Sequence, residues 1–339
     1  MARKKLTLPR CMWFKYILPP LAAMAMIAGY ILGWHSPVPD RAVFNVNRGD
    51  SITAVANRLQ AGKLINSSYL FKTVIRGMGG RVQMGEYDIP AGASLWRIAR
   101  MISHGDIATV TIVIPEGLTI IQIKNLLLAS ASLSGAVECA AGNTAPVCSL
   151  RDGMVFPDTY RVAKGTARLA LLDLARKKMA GIERAWHSGG GRAPMPLKTW
   201  NDVITLASIV QKETPRADEM PIVASVYLNR LRKNMRLQAD PTVVYAITAG
   251  LGDMRGAALL RGHLKVDSPY NTYTHNGLPP APIANVGDAA IRAVLRPADT
   301  NYLFFVADGQ GGHRFARSYD EHVKNHADWR EIKKSKNKN

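Results

Sequence analysis

The stretch from Trp200 to Lys212 is apolar at Val203, Ile204, Leu206, Ala207, Ile209 and Val210. At a helical repeat these positions cover all sides of the cylinder, so the helix has to be enclosed by other elements. Thr199 and Asp202 stand in capping-box spacing at its start. Pro215 stops it, because the proline ring does not fit a helix interior. One carboxylate, Glu213, closes this enclosed helix, a turn beyond Ile209 and Val210. Burial disfavours the charged form of a carboxyl group and raises its pKa. A glutamate tuned upward holds a proton near neutral pH and can deliver it to a leaving group. The competing expectation is a structural ion pair with Arg216, Arg230 or Arg236.

Around this helix the pattern predicts a mixed α+β chain. Val43–Asn47 and Gly85–Ile89 read as strands, and Val110–Ile114 as a β-branched strand. Gly49-Asp50-Ser51 opens a helix through Ile52, Val55 and Leu59. A second helix covers Ser67–Arg76, and a third follows Ser94 through Ile98 and Ile102. Pro115–Leu118 opens a helix through Ile121 and Leu126, and residues 130–150 read as a loop. An amphipathic helix over 166–187 is expected to turn Leu169, Leu172, Met179 and Ile182 inward. Asp218 is expected to cap a helix through Leu231. Tyr302–Val306 and His313–Phe315 read as a hairpin with a glycine turn.

The basic residues Arg3, Lys4, Lys5, Arg10 and Lys15 precede Ile17–Trp34, which has no charged residue. That length suits a membrane-spanning helix with a cytoplasmic N-terminus. A cleaved signal peptide is the competing reading, but the apolar run is long for one. The divisions that follow are a cytoplasmic segment 1–15, a span 16–35, a linker 36–42, a small α/β subdomain 43–109, a larger α+β domain 110–330 and a basic tail 331–339. The net charge of +19 calls for an anionic partner. With most of the chain outside the cytoplasm, nucleic acid is excluded. Cys139 and Cys148 flank a polar loop and could pair there, or remain as two unpaired loop cysteines.

Two polar clusters follow the central helix, one around Gln238 and Asp240 and one over Tyr270–Pro280. Gln238, Asp240, Asn271, Thr272 and Tyr273 carry the donors and acceptors that bind sugar hydroxyls and amides. Turn chemistry is the alternative for Asp240-Pro241 and Leu278-Pro279-Pro280. His275 and His313 could border such a cleft, although a surface or satisfied histidine is the plainer reading of each. No nucleophile elbow, phosphate loop or His-Glu-x-x-His motif is present, and the sequence calls for no metal and no cofactor.

The ordered runs Ala-Ser-Ile-Val-Gln-Lys-Glu-Thr (207–214), Val-Ala-Ser-Val-Tyr-Leu-Asn-Arg-Leu (223–231), Met-Arg-Leu-Gln-Ala-Asp-Pro-Thr-Val-Val-Tyr (235–245), Tyr-Asn-Thr-Tyr (270–273), Gly-Leu-Pro-Pro (277–280) and Tyr-Leu-Phe-Phe-Val-Ala-Asp-Gly (302–309) are similar to those of the endolytic murein transglycosylases, the MltG or YceG-like family. Pro-Glu-Gly (115–117) and Phe-Pro-Asp-Thr-Tyr (156–160) match as well. The Gly49-Asp50-Ser51 turn resembles the start of a LysM-type glycan-binding module, and is also ordinary capping chemistry. The resemblance implies an inner-membrane lyase with a periplasmic catalytic domain. Such an enzyme cleaves the MurNAc–GlcNAc bond of nascent peptidoglycan with 1,6-anhydro ring formation, and so terminates strand elongation beside peptidoglycan synthases. It puts the catalytic acid on Glu213. The family's usual Glu two residues earlier is Gln211 here, and its usual Pro-Pro-Gly-Pro-Ile reads Pro-Pro-Ala-Pro-Ile with Ala281. The alternatives are a non-catalytic peptidoglycan-binding scaffold and a hydrolytic muramidase using Asp240.

Overall fold

A computed structural model describes residues 18–29, 38–252, 254 and 256–336. The expected segment 1–15, residues 16, 17 and 30–35 of the expected span, residues 36 and 37 of the linker and residues 337–339 of the tail lie outside them. The first described helix, α1 (Leu18–Gly29), has 12 residues. Among the described residues no helix is long and apolar enough to cross a membrane. The expected span over 16–35 is therefore not found among them.

The chain divides into two compact units, residues 1–110 with 162–164, and 111–161 with 165–339. In the first, β1 (Ala42–Val46) pairs antiparallel with β2 (Gly85–Ile89), Phe44 facing Tyr87 in register. Between them run α2 (Ile52–Ala61) and α3 (Ser68–Gly77), and α4 (Leu95–His104) follows β2. Three serines set the helix starts. The hydroxyls of Ser51, Ser67 and Ser94 accept from the amides of Ala54, Leu70 and Arg97 at 3.1, 3.3 and 3.2 Å. Each cap satisfies a donor that the first helical turn leaves unpaired. Phe71, Tyr87, Ile98 and Ile102 are fully buried at the centre of this unit.

The boundary between the units falls within β3 (Thr109–Ile114), which pairs with β4 (Asp158–Ala163). The second unit continues with α5 (Ile120–Ala129), α6 (Arg168–Ser188), α7 (Trp200–Glu213), α8 (Met220–Arg232), α9 (Asp240–Ile247), α10 (Asp288–Leu295), the hairpin β5 (Phe304–Ala307) with β6 (His313–Ala316), and α11 (Tyr319–Lys336). Helix α7 is the expected central helix. Every residue from Val203 to Val210 is buried, and α8 and α10 pack on it. The Thr199–Asp202 capping box is complete in both directions.

Three local expectations are corrected. Helix α5 starts at Ile120 behind a Thr119–Gln122 capping box, because Gly117 at φ 77° cannot continue into a helix. Asp218 does not cap α8. It ion-pairs with Arg216 at 2.6 Å, and α8 begins at Met220 with Pro221 in its first turn, where a missing N–H costs nothing. In α6 the buried face is Leu171, Leu172, Ala175 and Met179, with Leu169 and Ile182 only half-buried. Arg168 donates to the carbonyls of Leu127 and Gly135 at 2.7 and 2.6 Å and pins the first turn in that rotation. The loop after α5 holds a Cys139–Cys148 disulfide.

Candidate active site

Glu213 is the last residue of α7, and its position follows from the helix stop at Pro215. Its Oε1 accepts the phenol of Tyr227 on α8 at 2.6 Å. No ion pair includes Glu213 among the described residues. Arg216 is committed to Asp218 and Glu219. Arg236 donates to the Tyr273 carbonyl and the Asn276 side chain. The third expected partner, Arg230, donates to the carbonyls of Leu303 and Leu237 at 2.6 and 2.7 Å and lies over the Phe304 ring. Glu213 is half-buried and lines the cleft. The packed surroundings push its pKa from the ordinary 4.5 up to about 7. Burial is the main cause; the Tyr227 hydrogen bond and the Arg230 charge oppose it, while the Asp240 charge adds to it. The group is therefore poised between acid and base near neutral pH.

A cavity of about 460 Å³ opens on Glu213, Tyr227, Arg230, Gln238, Asp240 and Tyr273, with the hairpin and α11 as its far wall. A second cavity of about 320 Å³ is lined by Lys212, Pro241, Val244 and Tyr245, and shares Glu213 and Asp240 with the first. The two carboxyl groups thus stand on a ridge between two cavities. A linear substrate can continue on either side of them.

Asp240 opens α9, where the helix dipole favours its charge, and it accepts the Tyr273 phenol at 2.5 Å. Burial and the Asp240 carboxylate raise the pKa of that phenol, so it remains a donor. Gln238 sits at φ 50°, a conformation that non-glycine residues rarely adopt. Its backbone N–H is held by the Thr272 carbonyl at 3.1 Å, and its exposed side chain lines the cavity. Strain of this kind persists where the surroundings enforce it.

The structure places Asn271 and Thr272 differently from Gln238, Asp240 and Tyr273. Both are buried and neither lines the cavity. The Asn271 amide donates to the carbonyls of Leu264 and Val266 at 3.0 and 2.8 Å and accepts from the Tyr273 N–H at 2.9 Å. The Thr272 hydroxyl accepts from the Ala239 N–H at 3.0 Å and meets Thr242 at 2.9 Å. These two side chains hold the Tyr273 and Gln238 segments in register. His275 is exposed and bonds Thr274, whereas His313 lines the cavity and pairs with buried Glu219 at 2.8 Å. Gln211 accepts the Gly287 N–H at 3.1 Å and ties α7 to the start of α10.

The sequence singled out no role for Tyr227, and offered Arg230 as an ion-pair partner or as part of a polar cluster beside the site. A tyrosine inside the mainly apolar run 223–228 was the available signal, since a buried phenol needs a partner. Asn271→Ala is expected to lower the melting temperature and raise KM more than it lowers kcat, because it loosens the Tyr273 loop and leaves Glu213 in place. Equal kcat and KM for variant and wild type would contradict this.

A model of the YceG-like family matches residues 44–328. The endolytic murein transglycosylase of Bacillus subtilis (strain 168) is 28% identical over 303 residues, 83% of this chain and 82% of that protein. The endolytic murein transglycosylase of Streptococcus pneumoniae serotype 2 (strain D39) is 28% identical over 178 residues, 52% of this chain and 32% of that protein. A crystal structure of a yceG-like protein from Listeria monocytogenes covers 84% of this chain and 99% of its own at 27% identity, with a TM-score of 0.49.

Proposed function

Because the chain belongs to the YceG-like family, we propose that it is an endolytic murein transglycosylase, a lyase acting on peptidoglycan, as its relatives are named. One observation carries the mechanism. A single desolvated carboxyl group, with its pKa near 7, stands where two cavities meet. Protonated Glu213 gives its proton to the oxygen between N-acetylmuramic acid and N-acetylglucosamine. As carboxylate it then takes the proton from the 6-hydroxyl of the same muramic acid. That oxygen bonds to C1 as the C1–O4 bond breaks, which closes the 1,6-anhydro ring. No water is consumed and no second carboxylate is required, in contrast to the paired carboxylates of glycoside hydrolases. Tyr227 occupies Oε1 and leaves Oε2 for the proton. Gln238, Tyr273 and Asp240 contact the sugars, with Asn271 and Thr272 fixing their positions.

We further propose that residues 16–35 anchor the chain in the inner membrane with its N-terminus cytoplasmic, beside peptidoglycan synthases. Cleavage of nascent strands would there terminate their elongation. The Cys139–Cys148 disulfide supports an oxidising compartment for the rest of the chain. The basic excess suits anionic lipid and the carboxylates of the wall. Residues 43–109 are read as a LysM-like glycan-binding subdomain on the Gly49-Asp50-Ser51 turn. Full-length protein is expected in the membrane fraction and resistant to salt extraction. Recovery in the soluble fraction would contradict the anchor.

The reaction is tested in water enriched in heavy oxygen. An intramolecular attack leaves product ends free of the label, while reducing ends labelled in the enzymatic step would mean hydrolysis by water. Tyr227→Phe tests the tuning of the acid. The lost hydrogen bond stabilises the carboxylate, so its removal raises the Glu213 pKa. The alkaline fall of kcat, where the acid loses its proton, should move to higher pH. An unmoved or acid-shifted limb would contradict the assignment.

A further inference from the structure

The cavity wall across from Glu213 has a chemistry that the cleavage step does not use. His313 on β6 and His322 and His326 on α11 all face this one cavity. His313 is committed to Glu219, which accepts both its ring and its backbone N–H. His322 stacks on Phe304 with ring centroids 5.2 Å apart, and its Nδ1 is buried without a hydrogen-bond partner. His326 meets His322 and Trp329 ring to ring at 6.1 and 5.4 Å. Among the described residues neither imidazole has a carboxylate partner, and no cluster is placed to hold a metal ion.

Arg230 lines the same cavity. Its Nε and Nη1 are spent on backbone carbonyls, Nη2 makes no hydrogen bond, and no carboxylate pairs with it among the described residues. Once Glu213 is protonated, the cavity holds a guanidinium and two imidazoles with no carboxylate bonded to any of them, and its remaining carboxyl group outside the His313–Glu219 pair, Asp240, is bonded to Tyr273. A buried positive charge with no counter-ion is costly unless a ligand supplies one. Sugar rings are neutral, and the carboxylates of this polymer sit on its peptide branches.

We propose that His322 and His326, together with the Arg230 guanidinium, form a subsite for the acidic peptide branch of the glycan, and that this subsite makes the protein prefer peptide-bearing strands to bare ones. The inference rests on the glycan-cleaving function proposed above. An anion lying on α11 draws a proton onto the His322 imidazole, whose pKa is lowered by burial and by the neighbouring His326 and Arg230 charges. The branch thus sets the register of the strand over Glu213.

The test uses the full-length protein carrying Glu213→Gln, so that ligands bind without being cleaved. A GlcNAc–MurNAc disaccharide bearing a pentapeptide, and the same disaccharide with its peptide replaced by a simple amide on the muramic lactyl carboxyl so that it carries no charge, are titrated by calorimetry. The peptide-bearing fragment is expected to bind about tenfold tighter, a difference of roughly 1.4 kcal/mol. His326→Glu and His322→Gln, both at half-buried positions, should each bring the two affinities together. His326→Arg should keep the preference. No preference in the parent, a preference that survives both substitutions, or an equal loss for both fragments would overturn the subsite. If neither fragment binds the parent, the glycan reading itself falls, and the inference with it.

Discussion

Glu213→Gln is expected to reduce turnover by about 10²–10⁴-fold, the usual contribution of a positioned acid, while making the folded protein more stable. Glutamine keeps the acceptor for Tyr227 but carries no proton to give. The stability gain has a defined pH window. The wild-type carboxyl group titrates near 7 when folded and near its ordinary 4.5 when unfolded. Between these values the folded state binds more protons than the unfolded state, so wild-type stability declines as pH rises. It declines by roughly 3 kcal/mol before levelling off above pH 7. The variant lacks this decline. Melting curves should therefore coincide near pH 4 and separate progressively up to pH 7 and above, with the inactive protein melting higher. Equal melting at all pH values would mean that Glu213 is well solvated and untuned. A less stable variant at neutral pH would mean that the carboxylate is a structural partner.

Arg230→Met is expected to have the largest effect on the fold of the site, at a cost of about 3–5 kcal/mol. The guanidinium holds the carbonyl of Leu303, at the entry to β5, and those of Arg236 and Leu237, just before Gln238. Two walls of the cavity are thereby tied to one side chain on α8. Methionine fills the volume but leaves these buried carbonyls unpaired. The melting temperature should fall by roughly 6–20 °C at 2–4 °C per kcal/mol. Arg230→Lys should recover little, because an ammonium group cannot reproduce the fork of donors. Recovery by lysine would mean that charge, and not the geometry of the carbonyl contacts, is what the site requires.

What could be read from the sequence was mostly local. The Ser94 cap and the Thr199–Asp202 box act within three residues and form as expected, and Ser51 and Ser67, read as helix starts, prove to be caps as well. Helix α7 was legible because an all-round apolar pattern has one solution. The hairpin was legible because Gly309 and Gly311 supply the positive φ values its turn needs. Asn271 and Thr272 were misplaced because composition cannot distinguish an amide offered to a ligand from one spent on the Leu264 and Val266 carbonyls. Arg230 finds its acceptor 73 residues away in sequence. The contribution of α11 was hidden for a different reason. His322 and His326 lie on a strongly polar helix and look like solvated side chains until β5 and Arg230 are placed against them. Asp218 failed as a cap because Arg216, two residues away, competes for its carboxylate.

The central claim is that Glu213 alone runs an intramolecular transglycosylation. The most direct measurement is the mass of the products that the full-length protein and its Glu213→Gln variant release from uncrosslinked glycan strands. Products lighter by one water than hydrolysis products, made by the wild type and absent with the variant, are what the account predicts. Ordinary reducing ends from the wild type, or anhydro products that persist with the variant, would contradict it.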